Sequence, residues 1–194
     1  LQWITTGYLL AVAITITLGA TLAHNWTERR ILFTSLAIFS LGNLIATLAP
    51  DFTFLMIGRI LQGGATGIAM PLMFNLIVER IPRKNIGLFM GLSGLVISLA
   101  PAIGPTYGGY MIASFDWHMI YTCILPVPII SFLLAYFNLQ NSTGKSKRPF
   151  DVLGFLSLAV ALSFSLMTIS SLEGGDSVNW LYLAIFFLSF AFFI

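Results

Sequence analysis

Arg59 is the residue whose position most demands a chemical reason. It lies eight residues past Asp51 in an otherwise uncharged apolar run, about 12 Å along a helix. A guanidinium near mid-membrane costs about 2.5–3.5 kcal/mol on insertion scales, so by default it faces a polar cavity or a partner. At about 100° per residue, Gln62, Gly63, Thr66, Met70 and Met73 project within roughly 60° of it. The run thus has one polar, soft face, on which Thr66, Met70 and Met73 are candidates to line a cavity. The competing reading is an arginine that snorkels to the headgroups along its aliphatic stem. Gln62 argues against it by continuing the polar face inward.

The run from Ile86 to Ala113 has a different character. Gly87, Gly91, Gly94, Ser98, Pro101, Pro105, Gly108 and Gly109 project within about 60° of a common line. In lipid, helices associate through backbone contact and packing rather than hydrophobic drive, so such a stripe lets two backbones approach closely. Pro101 and Pro105 also remove N–H groups and permit a bend. Gly63 and Gly67 form a second, lesser pair of small residues. Much chemistry is excluded: there is no Ser/His/Asp or Cys/His set, no paired acid and no glycine-rich phosphate loop. The reading is therefore not an enzyme. Cys123 is the lone cysteine, and His24 and His118 lie far apart, so no metal site and no cofactor are expected. Basic residues are scattered rather than gathered in a block, which excludes nucleic acid as a partner.

The elements that must hold these residues follow from composition. Of 194 residues 58% are hydrophobic and 16 are charged (nine Lys+Arg and seven Asp+Glu), where a soluble chain of this length would carry about fifty charges. Lipid must be the solvent for most of the surface. Stretches long enough to cross about 30 Å of hydrocarbon fall at 3–23, 31–49, 52–78, 86–113, 118–137 and 152–172, with a truncated one at 180–194. The fold class expected is all-α, a polytopic transmembrane helical bundle. Three connections carry Arg29, Arg30, Arg80, Arg83, Lys84, Lys145, Lys147 and Arg148, eight of the nine basic residues. The other three carry Asp51, Asp116, Glu173 and Asp176 and no Lys or Arg. The positive-inside rule puts the first set in the cytoplasm and the second outside. Trp3, Trp117, Trp180, Tyr182 and Trp26 sit at span ends, where amphipathic rings anchor. The chain begins at Leu1 without a basic leader and stops inside an apolar run at Ile194, so it is read as an internal piece of a longer protein. The fragment starts outside, which requires an odd number of preceding spans.

These motifs resemble the major facilitator superfamily, specifically its drug/proton antiporters of the fourteen-span EmrB/QacA type. Gly58-Arg59-Ile60-Leu61-Gln62-Gly63-Gly64 is similar to the fourth-helix signature R-x-x-Q-G. Gly104-Pro105-Thr106-Tyr107-Gly108-Gly109 is similar to the fifth-helix antiporter signature G-P-x-x-G-G. The loop from Thr21 to Arg30 stands where the family carries G-x-x-x-D-x-x-G-R-R. Aligned on Arg29-Arg30, the aspartate falls on Asn25 and the second glycine on Glu28, so the internal-loop gate, Asn25, Glu28, Arg29 and Arg30, lacks its usual carboxylate unless Glu28 substitutes.

The resemblance implies helices two to six of an N-terminal six-helix bundle over residues 1–137. A short basic cytoplasmic loop follows at 138–151, then an extra helix seven and a truncated helix eight at 152–194. It implies proton coupling at Arg59 and Gln62, and gating at Gly104, Pro105, Gly108 and Gly109. The implied activity is export of small amphipathic or cationic drugs in exchange for protons by alternating access. The implied partners are the bilayer, protons, a small-molecule substrate and the remaining helices of the full-length chain. The bilayer is that of a bacterial cytoplasmic membrane, and the proton gradient takes the place of a cofactor. Two alternatives stay open: a narrow-range exporter of a tetracycline-like compound or metabolite, and a non-transporting scaffold or sensor.

The charge division makes a first prediction. Cysteines placed at Arg83 and Lys147 in a Cys123→Ser background should resist an impermeant thiol reagent in intact cells, and cysteines at Asp116 and Asp176 should react. Labelling of position 147 from outside would overturn the topology.

Overall fold

A computed structural model describes residues 2–139, 152–173 and 180–193. The basic stretch 140–151, with Lys145, Lys147, Arg148 and Asp151, lies outside the described residues, as does the segment 174–179 with Asp176. The described residues form helices and no strand: α1 (Gln2–Asn25), α2 (Glu28–Thr47), α3 (Phe52–Arg80), α4 (Ile86–Ser114), α5 (His118–Ile124), α6 (Pro126–Asn138), α7 (Val152–Glu173) and α8 (Trp180–Phe193). A short 3₁₀ turn, Arg83–Asn85, leads into α4. Six segments are long and apolar enough to cross a membrane, α5 and α6 together forming one of them. The apolar part of α8 is shorter. This is the all-α bundle that the composition requires.

Helix starts are set locally. Thr27 Oγ1 accepts from Arg30 N at 3.3 Å and caps α2. Asp51 Oδ1 accepts from Thr53 N at 2.9 Å and from Phe54 N at 3.1 Å, capping α3. Each cap satisfies N–H groups that the first turn leaves open.

The span read at 118–137 is present as one crossing segment, interrupted at Leu125 between α5 and α6. Pro126 and Pro128 have no N–H to continue the ladder. Leu125 N instead donates to Thr122 O at 3.2 Å, one residue short of the α-helical partner, Tyr121. Pro101 and Pro105, by contrast, lie inside the unbroken α4.

The packing is centred on α3, which has α1 on one side and α2 on the other. A methyl group added to Gly58 would stand 2.6 Å from Gly42 O across the α2–α3 seam. One added to Gly63 would stand 2.5 Å from Tyr8 O, and one on Gly67 2.6 Å from Val12 O, across the α1–α3 seam. The lesser glycine pair is therefore where backbones meet. The larger stripe on α4 behaves differently: a methyl group on Gly87, Gly91, Gly94, Gly104, Gly108 or Gly109 would meet nothing within 4 Å. No described residue of α4 is buried. Close backbone approach needs a facing helix, and among the described residues none faces that stripe.

Contacts at the two ends agree with the alternation of spans. Glu28 and Arg80, at expected internal ends, form an ion pair. At the other end His118 Nε2 lies 3.1 Å from Ala49 O, and its Nδ1 lies 2.8 Å from Asp116 Oδ1. That bond holds the Asp116 carboxyl below its ordinary range.

The two glycine groups should respond differently to bulk. Gly67→Leu drives a side chain into the α1 backbone, an overpacking cost of about 1–3 kcal/mol or more, and should cut accumulation of the full-length protein in membranes. Gly108→Leu should insert at the parental level. Immunoblots of the membrane fraction check both; equal accumulation would mean that the α1–α3 seam is not close-packed.

Candidate functional site

The Arg59 side chain is half-buried between α3 and α1. Its Nη1 donates to Gln62 Oε1 at 3.2 Å, one turn deeper on α3, and its guanidinium carbon lies 4.5 Å from the Tyr8 ring centroid on α1. A half-buried cation over an aromatic face gains about 1 kcal/mol. Arg59 Nε is buried and has no hydrogen-bond partner. A snorkelling arginine would have its head in water; this one is tethered inward with a donor unspent.

The tether continues past Gln62. Gln62 Nε2 donates to Asn43 Oδ1 at 3.0 Å, and Asn43 Nδ2 donates to the Tyr121 carbonyl at 2.9 Å. Asn43 is fully buried and Gln62 nearly so. A second arm runs from the Tyr8 hydroxyl to Thr66 Oγ1 at 3.3 Å, and Thr66 Oγ1 donates to Gln62 O at 2.8 Å. Four helices, α1, α2, α3 and α5, thus meet through polar groups around one cation. Sequence reasoning placed Arg59, Gln62 and Thr66 on one face but missed Asn43 and Tyr8. Asn43 had a signal, since a lone amide inside an apolar run needs partners. Tyr8 had none, because ring contacts between helices leave no periodicity in either sequence.

Thr66, Met70 and Met73 line a cavity of about 590 Å³ between α2, α3 and α4, with Leu32, Phe89 and Ser93 among the other walls. That volume falls in the range of drug-sized sites. The lining contains no charged side chain. Ser93 Oγ donates to Phe89 O at 2.9 Å within its own helix, so Thr66 is the edge where the cavity meets the polar network.

The internal-loop residues separate by role. Asn25 ends α1. Arg29 lies over the Phe33 and Tyr136 rings at 5.3 and 4.9 Å, joining α2 to α6, and Arg30 lies over Trp26 at 5.1 Å. Glu28 is buried in the first turn of α2 and pairs with Arg80 in the last turn of α3 rather than with Arg29 or Arg30. Each charge sits at the helix end whose dipole favours it. Arg80 was legible only as one of the loop's basic residues. Gly104, Pro105, Gly108 and Gly109 lie on α4 and are not brought to the Arg59 network. Among the described residues, no group of three or more His, Cys, Asp or Glu could hold a metal ion.

Residues 1–194 match the family model described as Major Facilitator Superfamily. The chain is 40% identical over 155 residues to the lincomycin resistance protein LmrB of Bacillus subtilis (strain 168), a match covering 80% of this chain and 32% of that protein. It is 38% identical over 155 residues to the MFS-type transporter YcnB of the same strain, covering 80% and 33%. It is 31% identical over 169 residues to the multidrug resistance protein B homolog of Mycobacterium tuberculosis (strain ATCC 25618 / H37Rv), covering 87% and 31%. The chain thus spans about a third of the length of the curated relatives it matches.

The Glu28–Arg80 pair yields a stability prediction. Arg80→Gln removes the cation that pairs with the buried Glu28 carboxylate. Loss should be about 1–3 kcal/mol, below the roughly 3–5 kcal/mol of a fully buried pair because the Arg80 side chain is 42% exposed and screened. Glu28→Gln should cost less, since Arg80 can turn to water, and the double variant should recover part of the Arg80→Gln loss. Thermal unfolding of the full-length protein in detergent measures all three; Glu28→Gln losing as much as Arg80→Gln would reverse the assignment.

Proposed function

The chain belongs to the Major Facilitator Superfamily, a family of transport proteins rather than enzymes, and from that premise we propose that the full-length protein exports small amphipathic or cationic drugs in exchange for protons. The observation that carries this reading is the inward-tethered Arg59 with its unspent buried donor. A multi-pass membrane protein that only needed to fold would gain nothing from a charge in hydrocarbon, which disfavours the scaffold or sensor reading. The names of the relatives, multidrug resistance and lincomycin resistance, support an exporter.

In this proposal the chain supplies helices two to eight of a fourteen-span transporter in a bacterial cytoplasmic membrane. Arg59 faces an acid carried by helices beyond this chain. A fixed positive charge favours the ionised form of that acid, so moving the guanidinium away raises its pKa and lets it take a proton. Alternating access, by rocking of one bundle against the other, supplies the movement. Gly104, Pro105, Gly108 and Gly109 on α4 present a bare, flat face for the opposite bundle. The uncharged cavity beside Thr66, Met70 and Met73 suits a lipophilic body, with the Arg59 network at its polar edge. A narrow-range exporter is the second reading, favoured by the lincomycin resistance name of a relative at 40% identity. Efflux of lincomycin without efflux of ethidium would select it.

The test of coupling is substrate-induced proton release from vesicles holding the full-length protein, with ethidium and lincomycin as probes, beside equilibrium binding of the same probes. Arg59→Ala should bind probe and release no protons, because the acid stays protonated. Arg59→Lys keeps charge without the planar fork and should retain partial coupling at best. Exchange by Arg59→Ala at the parental rate would sink the proposal.

A further inference from the structure

We propose that Asn43 is a positioning residue for Arg59, fixing the Gln62 amide in one orientation and thereby tying the guanidinium to the break between α5 and α6. This rests on the coupling role proposed for Arg59.

The argument comes from the ends of the chain of bonds. The Tyr121 carbonyl can only accept a hydrogen bond and a guanidinium can only donate. With acceptor at one end and donor at the other, the two amides between them have a single consistent sense. Asn43 must turn its NH₂ to Tyr121 and its oxygen to Gln62. Gln62 must then turn its NH₂ to Asn43 and its oxygen to Arg59, which is the arrangement found. Flipping either amide would set donor against donor. Both amides are buried, so water is not at hand to relieve the mismatch, and the cost of an unmade bond falls on the network itself.

The acceptor that sets this sense exists because of the helix break. In an unbroken helix the Tyr121 carbonyl would take the Leu125 N–H. Pro126 has no N–H to give the Thr122 carbonyl four residues before it; the Leu125 N–H goes to Thr122 O instead, and the Tyr121 carbonyl is open to Asn43. The break therefore helps to order two amides on neighbouring helices. Tyr8 from α1 and Tyr121 from α5 are the titratable side chains that interact with Arg59 from packed elements. Among the described residues no carboxylate pairs with it, and the amide oxygen of Gln62 is the acceptor that holds it in place.

The experiment follows the pH profile of ethidium/proton exchange by the full-length protein in proteoliposomes for Asn43→Leu, Asn43→Ala, Gln62→Leu and Asn43→Leu/Gln62→Leu, with Arg59→Ala alongside. Both Asn43 substitutions make α2 more apolar, which favours insertion. Each single variant should move the half-maximal pH in the alkaline direction by about one unit, as a guanidinium released from its tether no longer holds the acid's pKa down. The double variant should shift no further than Gln62→Leu alone, since Asn43 acts through that amide. A parental profile for both Asn43 variants while Arg59→Ala is uncoupled would overturn the inference and leave the coupling reading standing. Additive shifts in the double variant would overturn it as well. So would failure of both Asn43 variants to accumulate while Gln62→Leu accumulates, because Asn43 would then be a folding element. Parental exchange by Arg59→Ala would instead overturn the coupling reading itself.

Discussion

The constraint on which the structure depends is the cost of carrying Arg59 into hydrocarbon. A guanidinium there must be surrounded by groups that replace water, and no single helix can supply them. Gln62 comes from the same helix, Tyr8 from α1, and Asn43 from α2, with the Tyr121 carbonyl of α5 closing the chain. The polar groups that offset its cost thereby join four helices. What costs energy in a single span is met only once the bundle has formed.

Close approach makes that arrangement reachable. Hydrogen bonds of about 3 Å between side chains as short as Asn43 and Gln62 require backbones nearer than large residues permit. Gly42 against Gly58, and Gly63 and Gly67 against α1, supply the room. The same glycines that would weaken a helix in water cost little where lipid forbids the unwound alternative. Polar recognition and backbone contact are consequently parts of one device, centred on α3.

The remainder of the bundle is looser around this centre. The α4 stripe meets nothing among the described residues, and the uncharged cavity opens between α4 and the α2–α3 seam. At the expected internal end, Glu28 and Arg80 bind α2 to α3, while Arg29 reaches the Tyr136 ring on α6. At the other end His118, the first residue of α5, reaches Ala49 O just past α2. Each end is thus closed by a different kind of contact, and the middle by the Arg59 network.

Much of this was legible in the residues themselves. Hydropathy and length determined the six spans and the shorter apolar stretch after them, since lipid imposes the same demand on every crossing segment. Charge patterning set the expected alternation of connections, and helical periodicity placed Arg59, Gln62 and Thr66 on one face. The break at Leu125 was latent in Pro126 and Pro128, yet a hydropathy pattern does not register a lost N–H. Which glycines lie at a seam, that Glu28 pairs with Arg80, and that Asn43 completes the Arg59 network were decided by tertiary structure alone. Periodicity states which way a side chain points, whereas a hydrogen bond between helices depends on their relative rotation, depth and separation, and those are fixed only when all the backbones have met.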